Sequence, residues 1–171
     1  SDLVKMVNTS VKINDRPSAF RYPRGNGIGI ELPGINDVLE IGKGRVVRSG
    51  KQVALLNFGA RLEECKKASE ILTKKGIDIT IVDARFAKPL DEKLIMEIAT
   101  NHEVVITIEE GSIGGFGSHV MQLLSERGVF DKGLKFRSMF LPDFFLDQDN
   151  PDKMYETAGL DAKSIADKIE D

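Results

Sequence analysis

The sequence predicts an α/β fold on a mostly parallel sheet, and three observations carry that expectation. Three short, unbroken apolar runs, Val53–Gly59, Ile77–Arg85 and Val104–Glu109, have the length of strands buried on both faces. A segment with helical periodicity separates each run from the next, and strand, helix, strand, helix, strand is the order of crossover units on a parallel sheet. Glycines punctuate the pattern, Gly59 closing the first run and Gly76 ending the helix that follows. In such sheets ligands sit at the carboxyl ends of the strands, where successive crossovers part to opposite faces. The loops after Phe58 and after Glu110 are therefore the first places to look for chemistry, and neither carries an obvious catalytic set.

Bulk properties narrow the function classes. With 171 residues, 41% hydrophobic and 30% charged, the chain can bury one real core and carry an appendage. A formal net charge of -3 gives no electrostatic case for nucleic acid or an anionic membrane as partner. One cysteine excludes an internal disulfide and a cysteine metal cluster, and two histidines, His102 and His119, leave little for a histidine metal site. No apolar run approaches the ~20 residues of a membrane span. No signal peptide is expected from the polar start Ser1-Asp2-Leu3. From a first residue of serine rather than methionine, a chain processed or cut from something longer is expected, with a trimmed expression tag as the alternative.

The elements follow in order. Ser1 or Asp2 can cap a helix in which Leu3, Val4, Val7 and Val11 recur at helical spacing through about Ile13. Asn14-Asp15-Arg16-Pro17 ends it, and Ser18–Tyr22 reads as a strand stopped by Pro23. One helix and one strand cannot bury a core, so residues 1–30 are expected to be the tail of another domain. Residues 31–43, with Pro33, Gly34, Asn36 and Asp37, read as a linker, and a second domain spans residues 44–171. Arg45–Arg48 is its first short strand. The helix over 60–75 places Leu62, Cys65, Ala68 and Leu72 on one face, which makes Cys65 a small buried hydrophobe. Asp91 caps the next helix, with Leu90 stapled onto Ile95. A helix from about Ser118 is expected to bury Val120, Met121 and Leu124. Leu134–Leu141 is the last strand, and Asp152–Leu160 and Asp161–Ile169 are terminal helices.

Four features bear on chemistry. The glycine loop 111–117 precedes a helix, the geometry that cradles phosphate, yet it lacks the P-loop lysine and the dinucleotide fingerprint. Tight packing of that helix on a strand is the competing use. Glu109 and Glu110 end a strand and point to opposite faces, which suits a cap or an ion pair better than a catalytic pair. Phe144-Phe145 is an apolar pair in a loop, suited to an interface or a core plug. Arg21-Tyr22-Pro23-Arg24-Gly25-Asn26 is the sharpest motif: arginines at a stiffened strand exit suit bidentate phosphate binding, with a structural ion pair as the alternative.

Taken together, Ser18–Asn26, Leu39–Gly44, Asp83–Asp91, His102–Val104, Glu109–His119 and Leu141–Asp143 resemble the 1-deoxy-D-xylulose-5-phosphate synthases over essentially the whole chain. The run Glu109–His119 is the most specific part; Lys88-Pro89-Leu90-Asp91 is shared with transketolases and two-oxo-acid dehydrogenase beta subunits. The resemblance implies a thiamine-diphosphate enzyme that decarboxylates pyruvate and joins the two-carbon remnant to D-glyceraldehyde 3-phosphate, working as a homodimer of three-domain chains. It implies a three-layer α/β/α carboxyl-terminal domain with a mixed five-stranded sheet, its antiparallel strand at one edge and Val53–Gly59 in the middle. It assigns the acceptor phosphate to Arg24, with Arg21 and Tyr22 in support, and gives the glycine loop to packing and contact with the neighbouring domains. No catalytic residue falls in this stretch. Thiamine diphosphate and magnesium are expected on the missing amino-terminal domains, with none bound by this chain alone, which is expected to be inactive. A bacterial cytoplasm or a plastid-type organelle is the implied compartment. The alternative is a free-standing α/β module that binds an anion or nucleotide at residues 111–117.

Overall fold

The structure is a computed structural model that describes residues 2–23, 29 and 31–171. Helix α1 (Asp2–Val11) comes first, followed by irregular chain to the sheet. The expected strand over Ser18–Tyr22 does not form. Its side chains are exposed and no described strand offers it a ladder, so β-propensity alone has nothing to pair with.

The remaining elements are β1 (Arg45–Arg48), β2 (Val53–Phe58), α2 (Leu62–Lys74), β3 (Ile79–Asp83), α3 (Glu92–Asn101), β4 (Val104–Glu109), α4 (Phe116–Glu126), β5 (Lys135–Met139), α5 (Pro151–Thr157) and α6 (Ala162–Glu170). The five strands lie in the order β1-β3-β2-β4-β5. The edge strand β1 runs antiparallel to β3, and every other pair is parallel. This is the expected mixed sheet, with β2 at its centre: Val53 aligns with Ile79 on one side and with Val104 on the other.

Continuous apolarity in β2 is explained by two buried faces. Val53 and Leu55 join the core beneath α2 and α6, where they meet Cys65, Ala68, Leu72 and Ile165. Ala54 and Leu56 point the other way, into the core beneath α3 and α4, with Ile95, Ile98, Phe116 and Val120. Leu55 and Leu72 are fully buried, and burying such a side chain contributes roughly 1.5–3 kcal/mol.

The caps set the helix boundaries. Asp91 accepts from the Leu94 N–H at the start of α3, and Leu90 and Ile95 pack in one cluster. Asp161 accepts from the Lys163 and Ser164 N–H groups at the start of α6. Gly76 ends α2 at φ +79°, where a side chain would be strained. Helix α4 departs from expectation. It begins at Phe116 rather than Ser118, and its inward face is Phe116, Val120, Leu123 and Leu124. Met121 is 47% exposed, one helical step away from that face.

Candidate functional site

Strands β2 and β4 are neighbours, but their crossovers part. Helix α2 covers one face of the sheet and α4 the other. The gap between their carboxyl ends is therefore the place where such a sheet takes a ligand. Here the protein's own side chains fill it.

On the α4 side the filler is Glu109. Its carboxylate accepts from the Phe116 N–H at 3.0 Å and the Gly117 N–H at 2.8 Å, and the residue is 5% exposed. Those two amides open α4, whose N-terminal dipole favours a negative charge. The glycines of the loop make this seat possible: a Cβ added at Gly111 or Gly115 would collide with Glu109 Oε2. Phe58 stacks on Phe116 at 4.9 Å between ring centroids and closes the seat from β2. The phosphate-cradle geometry of residues 111–117 is thus real, and an internal carboxylate already occupies it. An incoming anion would meet a like charge.

On the α2 side the filler is an ion pair. Arg61 Nε donates to Glu110 Oε1 at 2.7 Å, with side-chain exposures of 13% and 21%. The guanidinium lies 3.5 Å from the centroid of the Tyr155 ring, a cation–π contact that caps the pair from α5. Burial, and then the hydrogen bond to Glu110, push the Tyr155 hydroxyl above its ordinary value. Glu109 and Glu110 do leave on opposite faces, one as a helix cap and the other as an ion-pair partner. Sequence reasoning missed Arg61 and Tyr155. Arg61 lies 49 residues from Glu110, and no local signal joins them.

A second charged cluster, also missed, sits at the carboxyl end of β3. Arg45 Nη2 donates to Asp83 at 3.0 Å and lies 3.1 Å from Asp2, while Arg85 Nε donates to Asp2 at 3.1 Å. Arg85 has φ +58°, and the Phe86 N–H donates to the Ala84 carbonyl at 2.6 Å across it, which makes a γ-turn of the rare, strained hand. That turn aims the guanidinium at α1. Burial raises the Asp83 carboxyl above its ordinary value, and Arg45 pulls it back in part.

The residues singled out from the sequence are dispersed. Arg21 and Tyr22 are exposed on irregular chain, Tyr22 being 6.4 Å from the Phe20 ring. Arg24 lies outside the described residues. His102 ends α3, where its Nδ1 is 2.9 Å from the Ile98 carbonyl and its Nε2 is 2.7 Å from the Thr80 hydroxyl. His119 is exposed near the start of α4, far in role from the histidine partners a metal needs. Cys65 is fully buried, and burial pushes its thiol up to about 12. Phe144 and Phe145 are exposed. Among the described residues no group of three or more His, Cys, Asp or Glu side chains is placed to hold a metal ion, and no helix is long and apolar enough to cross a membrane.

Fold and site together define an α/β/α domain whose ligand crevice is closed by its own side chains. The chain belongs to the family of transketolase C-terminal domains, which matches residues 42–165. A split-gene transketolase described as an inactive beta4 tetramer is similar in structure, with a TM-score of 0.71 and 29% identity; the match covers 82% of this chain and 45% of that one. A transketolase from Campylobacter jejuni subsp. jejuni NCTC 11168 shares the fold at a TM-score of 0.56 and 15% identity, with 75% of this chain and 18% of that one covered. The chain therefore spans less than half the length of either protein.

Proposed function

We propose that this chain is the carboxyl-terminal part of a thiamine-diphosphate-dependent synthase that condenses pyruvate with D-glyceraldehyde 3-phosphate to 1-deoxy-D-xylulose 5-phosphate and carbon dioxide. In this reading residues 1–30 are the tail of the pyrimidine-binding domain, 31–43 the linker and 44–171 the carboxyl-terminal domain. Membership of the transketolase C-terminal family supports the class. The Glu109–His119 and Arg21–Asn26 runs, which resemble the synthases, support the particular reaction.

The observation that carries the division of labour is the seat of Glu109 on the start of α4. It argues against the glycine loop as a phosphate site and so supports the reading, taken from the resemblance, in which Arg24 contacts the acceptor phosphate with Arg21 and Tyr22 in support. The described residues do not fit thiamine diphosphate or its magnesium. The amides best placed for a diphosphate are taken by a carboxylate, and the described acidic side chains form no metal cluster. The cofactor and metal are assigned to the other domains of the complete polypeptide, which we take to work as a homodimer. The contribution of this chain is the acceptor phosphate and the contacts between domains.

The test is Arg24→Ala in the complete enzyme. Hydrogen bonds to a charged group are worth roughly 1.5–3 kcal/mol, so catalytic efficiency should fall about 10- to 100-fold. The loss belongs in KM for glyceraldehyde 3-phosphate, because a distant phosphate contributes binding and orientation. An acceptor aldehyde without phosphate should be used equally poorly by wild type and variant. An unaffected phosphorylated acceptor together with lost pyruvate binding would overturn the assignment and move it to Arg21.

A further inference from the structure

We propose that α1 is a releasable arm, latched by charge onto the carboxyl end of β3 through Asp2, Arg45 and Arg85, so that its amino-terminal half can open while the sheet stays folded. The latch is independent of the reaction proposed above.

Apolar packing does not dock this helix. Val4 and Met6 are half-buried, Leu3, Val7 and Val11 are exposed, and no apolar side chain of α1 belongs to either core. Polar contacts hold its two ends instead. At the amino end, Asp2 Oδ2 lies 3.1 Å from Arg45 Nη2 and accepts from Arg85 Nε at 3.1 Å. Asp2 Oδ1 is buried with no hydrogen-bond partner among the described residues, so one oxygen carries the attachment. At the carboxyl end, Asn8 Nδ2 donates to the Gly34 and Asp37 carbonyls at 3.1 and 3.0 Å. The buried Thr9 accepts from the Leu39 N–H at 2.8 Å through its Oγ1.

The two ends differ in chemistry. Asn8 and Thr9 make neutral hydrogen bonds, which salt leaves alone. The amino end is held by ion pairs whose side chains are 44% exposed at Arg45 and 25% at Asp2, and salt screens charges so placed. The carboxyl end is therefore the pivot and the amino end the latch. The receiving side belongs to the sheet: the Ala84 N–H donates to the Asn57 carbonyl at 2.8 Å and fixes the turn that presents Arg85 at φ +58°. Release strands no buried charge. Arg45 keeps Asp83 at 3.0 Å, and Arg85 Nε lies 3.9 Å from the same carboxylate. A helix of ten residues is not stable in water by itself, so release of Asp2 unwinds the first turns of α1.

The experiment is hydrogen exchange on the 171-residue chain, read as protection at the amides of residues 6–8, whose acceptors are the first-turn carbonyls. In wild type these amides should exchange at least about tenfold faster than the slowest amides of β2 and β4, with a weaker dependence on urea, because the opening exposes little surface. Asp2→Ala and Arg85→Gly should each lower their protection about tenfold or more. Asp2→Ala also removes a carboxylate that favours the helix start. Arg85→Gly leaves α1 untouched and suits the positive φ of the turn, so its effect belongs to the guanidinium. Raising NaCl from about 0.05 to 0.5 M should lower protection about threefold or more in wild type and not in Asp2→Ala. Equal rates and urea slopes for residues 6–8 and for β2 and β4 would overturn the arm. Unchanged protection in Arg85→Gly, or a wild type indifferent to salt, would overturn the latch.

Discussion

Replacing Glu109 separates an internal anion from an empty phosphate cradle. In Glu109→Ala the Phe116 and Gly117 amides lose their acceptor inside a site whose residue is 5% exposed. A buried donor left unpaired costs about 1–3 kcal/mol. Loss of a carboxylate from a partly buried helix start adds about 0.3–2 kcal/mol. With two such donors the expected loss is about 2–8 kcal/mol, a large share of the roughly 5–15 kcal/mol that holds a domain folded. Glu109→Gln keeps the size and one acceptor oxygen but sets its NH2 against one of the amides, so about 1–5 kcal/mol should go, less than in Glu109→Ala. Urea unfolding at neutral pH is the assay, with the midpoint moving and the m-value unchanged. Millimolar inorganic phosphate should return part of the loss in Glu109→Ala, since a ligand that binds only the folded state stabilises it. Phosphate should do nothing for wild type. Losses under about 1 kcal/mol in both variants would mean that water serves those amides as well as Glu109 does, and the cap argument would fail. Stabilisation of wild type by phosphate, abolished by changes in residues 111–117, would restore the anion-binding module as the better reading.

Two further outcomes follow from the buried titratable groups. With its thiol pushed up to about 12 and its side chain fully buried, Cys65 should resist iodoacetamide at pH 8 in the folded chain and react fully in urea; native-state labelling at a free-thiol rate would contradict the burial. Burial raises the Asp83 carboxyl, so its native value lies above the unfolded one of about 3.9. Its stabilising contribution is present below the unfolded value and is lost as pH rises through the native one. Asp83→Asn should therefore gain relative to wild type as pH rises from about 4 through that window. A urea-midpoint difference between the two that is flat or moves the other way would show that Arg45, and not burial, governs Asp83.

The sequence by itself determined the layers. Short unbroken apolar runs alternating with helical segments point to strands buried on both faces, and β2 shows why: Leu55 and Leu56 each meet a different helix layer. Local chemistry also determined the ends marked by Asp91, Asp161 and Gly76, because a cap acts over a few residues and is written there. Propensity without a partner misled over Ser18–Tyr22, where pairing depends on a neighbouring strand that no local pattern reveals. The start of α4 was misplaced for a related reason. Its cap is Glu109, which reaches forward from a strand end; Met121 faces outward for a separate reason, lying one helical step on from the buried Val120. Only the tertiary structure decided what the glycine loop holds. Loop, helix and carboxylate are all legible as residues, but whether the amides face a ligand or Glu109 depends on how the end of β4 lies against α4. The Arg61–Glu110–Tyr155 plug and the Asp2–Arg45–Asp83–Arg85 cluster were hidden in the same way. Each joins residues tens of positions apart, and Coulomb attraction between them acts only once the fold has brought the elements together.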